Sequence, residues 1–315
     1  MRSDVLQKAL SENGEAVLYA LDATSLVQES LERLAAFPPA TKHLGQSMMA
    51  ALLLQALNDS DESESLSLQW MCEGPFGHLY SEARNFGEVR GTIREPQAPV
   101  ADYDTKLGPG LLQVRRYKGT RGTTSIVNSH GDVSIDIVEY LEQSEQKNCG
   151  VNFSVVVDWA DETKTKFVVR AALAYLVHIM PQPTEQKLND ALLRWNRQME
   201  SLGAISRWHL RNDDITGDML RLISGEPEPR IVMTQRVTFQ CNCNVDRALR
   251  ALALLEAQEA KEKAPGSNSA APTQIRCEYC GKTYTIDPPG VRPKAARKKP
   301  AAAKKPSVQK KKRKR

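Results

Sequence analysis

FQCNCNVD (residues 239–246) and RCEYCGKTY (residues 276–284) hold four of the chain's six cysteines in two tight pairs. A structural zinc ion takes four soft ligands in a tetrahedron, and a Cys-x-x-Cys turn followed by glycine is a common way to present two of them. The Cys-x-Cys spacing of the first pair is rarer in zinc sites. No histidine stands near either pair in the sequence. The predicted ligands of one zinc ion are therefore Cys241, Cys243, Cys277 and Cys280.

Such a site is compatible with more than one role. In a static module the metal only maintains a shape. In a switch, peroxide attacks the metal-bound thiolates, and a disulfide between Cys241 and Cys243 would be strained and readily reducible. Since zinc binding supplies about 10–16 kcal/mol of folding free energy to a small module, loss of the metal would unfold it. A thiol oxidoreductase is less favoured, because four thiolates around one ion leave no free attacking cysteine.

The charge of the chain is divided between an acidic body and a basic tail. Residues 291–315 contain thirteen Lys and Arg and no Asp or Glu, which leaves 30 bases against 38 acids elsewhere and a charge of about −8 on residues 1–290. Any nucleic-acid binding is therefore confined to the tail, through phosphate contacts with little sequence preference. A solubilising extension is an equally good interpretation of the same residues.

Composition and hydropathy indicate a globular protein of the cytosol. The chain is 41% hydrophobic and 26% charged, close to the globular average. The start has no secretory pattern, and the longest apolar run, residues 48–54, is far shorter than the roughly 20 residues of a membrane span. No metalloprotease, nucleophile-elbow or phosphate-loop motif stands out. We expect a cytoplasmic protein without enzymatic activity.

The pattern along the chain predicts an α+β fold in four parts. Residues 1–182 mix alternating strand patterns with helical ones, and residues 183–236 contain two amphipathic helices whose apolar faces have no core of their own and must pack on a neighbour. The cysteine pairs lie in residues 237–289, and the Lys-, Ala- and Pro-rich residues 290–315 cannot bury enough apolar surface to fold. We therefore expect an N-terminal mixed domain, a helical linker, a zinc-binding domain and a disordered tail.

Motifs on both sides of the linker resemble the heat shock protein 33 family, the redox-regulated molecular chaperones. The cysteine signature of that family is matched by Val237, Phe239, Cys241 and Cys243, followed by Cys277, Tyr279, Cys280, Gly281 and Tyr284. Upstream matches are GPFG (74–77), EVRG (88–91), LGPGLLQV (107–114) and EYLEQSEQ (139–146). The resemblance covers residues 1 to about 289, and the basic tail is not part of it.

The resemblance implies an ATP-independent holdase for unfolded proteins, latent when reduced and zinc-bound. Oxidation would form disulfides between Cys241 and Cys243 and between Cys277 and Cys280, release zinc, unfold the linker and favour a homodimer. The rival hypothesis is a static zinc-ribbon protein that binds nucleic acid or ribosomes through its tail. Sensitivity to peroxide separates the two, because a switch gains function on oxidation.

Overall fold

The computed structural model of the chain describes residues 4–58, 64–203, 205, 213–262 and 273–286, without the side chains of 255–262. The predicted tail, residues 290–315, lies outside the described residues. By packing, the chain divides into two compact units: Met1–Asn244 with Arg276–Lys282, and Val245–Ile275 with Thr283–Arg315. Helices and strands occur together in the first unit, which confirms the predicted α+β class.

The first unit is built from two mainly antiparallel sheets and five described helices. Its strands are β1 (Val5–Leu10), β2 (Ala16–Asp22), β3 (Glu64–Cys72), β4 (His78–Arg84), β5 (Glu88–Ile93), β6 (Gly110–Lys118), β7 (Arg121–Ser129), β8 (Asn148–Trp159), β9 (Phe167–Ile179), β10 (Arg230–Arg236) and β11 (Thr238–Phe239). Its helices are α1 (Thr24–Leu34), α2 (Pro38–Leu57), α3 (Val133–Glu145), α4 (Glu185–Leu202) and α5 (Ile215–Ser224).

Helix α2 forms the centre of the core between the two sheets. The five-stranded sheet has the order β10-β1-β2-β9-β8, and the six-stranded sheet has the order β11-β5-β4-β3-β6-β7. Pro38 and Pro39 form the first turn of α2, where a backbone N–H group would have no acceptor within the helix and its absence costs nothing. The helix packs against β4 and β5 on one side and β8 and β9 on the other, so its apolar residues are buried all round.

Both faces of the five-stranded sheet are covered. Along β9, Ala172, Ala174 and Leu176 face the core that contains α2, while Leu173 and Tyr175 belong to a second core formed with α4 and α5. This double burial explains the nearly unbroken apolar sequence of the strand. The expectation that the linker helices lack a core of their own and pack on a neighbour is confirmed.

The last part of the predicted linker is a strand rather than a helix. Residues 230–236 form β10, which pairs antiparallel with β1 from Val5↔Arg236 to Leu10↔Arg230. Adjacent β-branched residues, Ile231 and Val232, favour an extended backbone there. Residues 230–240, here called the strap, thus continue from β10 on the edge of one sheet to β11 on the edge of the other.

Helix α1 begins with a cap from a distant residue. The hydroxyl group of Thr24, the first residue of the helix, donates to Asp22 Oδ1 at 2.7 Å. The carboxylate of Asp4 instead accepts hydrogen bonds from the backbone N–H groups of Ser25 at 3.1 Å and Leu26 at 2.5 Å. A side chain outside the helix therefore satisfies its first donors.

The second unit contains α6 (Val245–Glu262), most of β12 (Thr273–Arg276) and β13 (Thr283–Ile286), which pairs with β12. Helix α6 exposes apolar side chains at Val245, Leu249 and Leu254. Across the described parts of both units, no helix combines the length and apolarity that crossing a bilayer requires.

Candidate metal centre

The strap delivers the first cysteine pair to the edge of the six-stranded sheet. Strand β11 pairs parallel with β5. The backbone N–H group of Thr238 donates a hydrogen bond to Gly87 O, and that of Gln240 donates to Val89 O, each at 2.9 Å. Val237 and Phe239 point into the core, where Phe239 is only 6% exposed. Two buried side chains and a short ladder therefore fix the backbone immediately before Cys241.

The second pair stands on a tight turn that glycine closes. Cys277 N donates to Lys282 O at 2.8 Å, and Gly281 N donates to Cys277 O at 2.9 Å. Gly281 has φ of +70°, and a Cβ atom built on it would lie 2.6 Å from the backbone oxygen of Arg33. The position requires glycine both for its left-handed backbone and for its close approach to α1.

The four predicted ligands come together. Cys241 Sγ lies 3.7 Å from Cys277 Sγ, and Cys243 Sγ lies 3.3 Å from Cys280 Sγ. All four sulfur atoms lie within 4.8 Å of one another, and all six cysteines of the chain are in the thiol form. With Zn–S bonds of about 2.3 Å, the edges of a tetrahedron of sulfurs measure about 3.8 Å. The donor set and its spacing fit a four-thiolate zinc site, with two ligands from each pair.

The surroundings of these thiols disfavour isolated thiolates. Burial is the main cause that raises the pKa of Cys280 to about 12, with the neighbouring cysteine side chains adding to it. Burial likewise raises the pKa of Cys241, and the side chains of Cys243 and Cys277 contribute in the same direction. Four negative sulfurs at this spacing would repel one another, so thiolates need a cation among them. A bound metal ion supplies that charge and lowers the pKa values of the thiols that it binds. The cluster is thus suited to hold protons or a metal.

Three contacts that sequence reasoning missed hold the cluster against the sheet and α1. The ring of Tyr279 lies 4.3 Å from the guanidinium carbon of Arg90, and it meets Tyr80 edge to face at 6.0 Å between ring centroids. The guanidinium carbon of Arg33 lies 5.1 Å from the ring centroid of Phe239. No local pattern marks either arginine, because each acts on a segment more than 150 residues away in the chain.

The other two cysteines of the chain lie outside the cluster. Cys72 is buried, with its sulfur 3.6 Å from Ser129 Oγ. Cys149 is half-buried on β8, where burial raises its pKa to about 12. Neither thiol joins the group of four sulfur atoms, and Cys149 therefore serves as a control position for cysteine chemistry.

Known proteins resemble this chain over nearly all of its length. The 33 kDa chaperonin of Thermus thermophilus is 30% identical over 302 residues, covering 90% of this chain and 84% of the relative. The 33 kDa chaperonin of Listeria monocytogenes serotype 4a is 25% identical over 296 residues, covering 90% and 95%. The crystal structure of the Thermotoga maritima 33 kDa chaperonin, a heat shock protein 33 homolog, has the same fold, with a TM-score of 0.74, 21% identity and coverage of 91% and 95%.

Comparison of the chain with protein families points to the same group of proteins as these relatives. The family described as Hsp33 protein matches residues 4–287, a span that includes both sheets, the linker helices and all four clustered cysteines. The chain belongs to the Hsp33 family.

Proposed function

We propose that this protein is a redox-regulated, ATP-independent holdase chaperone whose switch is a zinc site formed by Cys241, Cys243, Cys277 and Cys280. The observation that carries the proposal is the convergence of four thiol sulfurs within 4.8 Å at the end of the strap. The names of its relatives, 33 kDa chaperonin, support the chaperone class. In the reduced protein the cluster holds one zinc ion, which supplies folding free energy to the segments that provide its ligands.

Oxidation destroys the ligand set. Two molecules of hydrogen peroxide oxidise the four thiols to two disulfides and are reduced to four molecules of water, so no ligand thiol remains for zinc. We assign the disulfides to Cys241 with Cys243 and Cys277 with Cys280, following the family resemblance. Both sulfur–sulfur distances described above, 3.7 Å and 3.3 Å, run between the pairs. Mass spectrometry of proteolytic peptides from oxidised protein decides the assignment, and disulfides between the two pairs would contradict it.

The strap connects this chemistry to the linker helices. Cys241 follows β11 directly, β11 follows β10, and β10 is joined to α5 by residues 225–229. When the cluster opens, β11 loses the support that the cluster gives it, and the disturbance passes through β10 to α5. Release of α4 and α5 then exposes the apolar sheet face that includes Leu18, Leu173, Tyr175 and Val177. Exposed apolar surface of this kind binds unfolded chains.

Light scattering of a heat-unfolding client tests the proposal directly. Reduced, zinc-loaded protein should leave aggregation unchanged, and the same protein treated with peroxide should suppress it, while a chromophoric chelator records the zinc released. Cys149→Ser should behave like wild type in both assays, whereas Cys243→Ser should lose zinc without oxidation. If the reduced form holds clients as well as the oxidised form does, the four cysteines are not the switch.

Two further properties follow from the same proposal. The oxidised protein should form homodimers through the newly exposed apolar surface, which sedimentation velocity measures. The basic residues 291–315 should add only weak, salt-dependent binding to nucleic acid. A static zinc protein that binds nucleic acid is the alternative, and it predicts that peroxide abolishes function.

A further inference from the structure

Helix α1 is attached to the strap at one end and to the cysteine cluster at the other. At its N-terminus, Asp4 caps the helix with its carboxylate and accepts a hydrogen bond from Val237 N at 3.1 Å with its backbone oxygen. At its C-terminus, the backbone oxygen of Arg33 packs against Gly281 in the second cysteine turn. The helix therefore fixes the position of Arg33 relative to both cysteine-bearing segments.

The side chain of Arg33 is oriented toward the first cysteine segment. Its Nε atom donates to Glu29 Oε1 at 2.9 Å, one helical turn earlier, and its guanidinium carbon lies 5.1 Å from the ring centroid of Phe239. This hydrogen bond to Glu29 is the main cause that raises the pKa of Arg33, and the charges of Cys280 and Cys241 act in the same direction. Phe239 stands two residues before Cys241, and Gly281, which packs against the backbone of Arg33, directly follows Cys280. These two contacts place Arg33 beside one cysteine of each pair.

We propose that Arg33 is a positioning residue of the cysteine cluster, which stabilises the zinc-bound state by supplying positive charge beside the four thiolates. The inference rests on the proposed zinc site. Four thiolates and one Zn²⁺ carry a net charge of −2, so a nearby cation favours that state over the metal-free thiols. The guanidinium does not replace a ligand. It lowers the electrostatic free energy of the bound state from outside the coordination sphere.

A second cation near the strap makes the effect of Arg33 partial rather than complete. Arg84 Nη2 donates to Gln240 O at 3.2 Å, while its Nε lies 3.7 Å from Glu88 Oε2. Arg33 also shares its charge with Glu29, and its side chain is 41% exposed, so water screens the interaction. We therefore expect its removal to weaken zinc binding by about threefold to tenfold.

Competition with a chromophoric chelator on the reduced, full-length protein measures this effect. Arg33→Met keeps the unbranched stem over Phe239 and removes the charge, and Arg33→Gln removes the charge with a different shape. Arg33→Lys keeps the charge. Arg121→Met is the matched control, because Arg121 is exposed on β7, at the opposite edge of the same sheet from β11. Circular dichroism verifies that each variant is folded.

Both neutral variants should lose zinc affinity at low salt, and Arg33→Lys should retain most of it. At about 1 M salt, the ratio of wild-type to variant affinity should approach one, because salt screens the charge of Arg33. A packing defect would not depend on salt. Wild-type affinity in both neutral variants, or an equal loss in Arg121→Met, or a loss that salt does not reduce, would overturn the role of Arg33. Failure of the wild-type protein to bind zinc would instead overturn the proposed function, and the two failures are therefore distinct.

Discussion

Replacing one buried leucine of α5 should activate the protein without oxidation. Leu220 is fully buried, at 0% exposure, in the core that α4 and α5 share with the five-stranded sheet. Leu222 is 38% exposed on the same helix. Leu220→Ala and Leu222→Ala are therefore the same substitution at a buried position and at a partly exposed position of one helix. Only the first removes apolar contact between α5 and the sheet.

The magnitude follows from burial. Truncating a fully buried leucine to alanine costs about 2–5 kcal/mol, since the lost transfer free energy adds to the cost of the cavity. If the whole cost falls on the docked state of α5, the ratio of docked to released helix drops by about thirtyfold to several thousandfold. Leu222→Ala should change that ratio by less than about threefold, because exposed positions contribute within roughly 0.5 kcal/mol.

Client aggregation and limited proteolysis report the change together. Reduced, zinc-loaded Leu220→Ala should suppress aggregation of a heat-unfolding client and should be cleaved in residues 183–236, while its zinc content equals that of wild type. Leu222→Ala should match wild type in all three measurements. The reasoning is refuted if Leu220→Ala is folded yet as inactive and as protease-resistant as Leu222→Ala. It is also refuted if both variants are equally active, since burial against the sheet would then be irrelevant.

Three further perturbations address the metal centre and the tail. Gly281→Ala should lower zinc affinity at least about tenfold, because the new Cβ atom would meet the backbone of Arg33. Gly14→Ala is the control, since Gly14 has the same φ of +70° but nothing within 4 Å of a Cβ atom, and it should leave zinc affinity unchanged. Equal effects of the two substitutions would exclude the clash as the cause. Because burial raises the pKa values of Cys280 and Cys241, these thiols are protonated before zinc binds, and zinc binding should release protons. Zinc affinity should therefore weaken from about pH 8 to about pH 6, and calorimetry in buffers of different ionisation enthalpy counts the protons released. An affinity that does not change with pH would contradict this expectation. Deleting residues 291–315 should leave zinc binding and client holding intact and remove salt-dependent oligonucleotide binding, and loss of zinc binding would show that the tail is not a separate module.

The sequence is most informative where chemistry or local backbone geometry restricts the residue type. Four cysteines at two short spacings predict their own convergence, because a zinc site has few alternative ligand sets. Pro38 and Pro39 predict the start of α2, since φ near −65° and a missing donor are compatible with a first helical turn. The apolar faces around Trp195 and Leu220 predict docking, because neither helix can bury them alone.

Long-range partners are not encoded in any local pattern. Asp4 caps α1 from outside the helix, and no residue near Thr24 in the sequence marks Asp4 as the cap. The strand character of residues 230–236 is visible in Ile231 and Val232, but pairing with β1 is needed to select it. Arg33 lies on an ordinary amphipathic helix by sequence. Its position beside Phe239 depends on the path of the strap between the two sheets.

In the proposed mechanism, the strap is the connection through which a change at four sulfurs would reach a distant helix. Strand β11 has only two residues and is held to β5 by a few hydrogen bonds, which is too little for stability without support at both ends. Support comes from the burial of Val237 and Phe239, from the cysteine cluster on one side and from β10 on the other. Strand β10 is itself an edge strand with half-exposed Ile231 and Val232, so it contributes little burial of its own. Under the proposed mechanism, loss of the cluster would therefore remove one anchor of the strap, and α5, attached through residues 225–229, would be the next element affected.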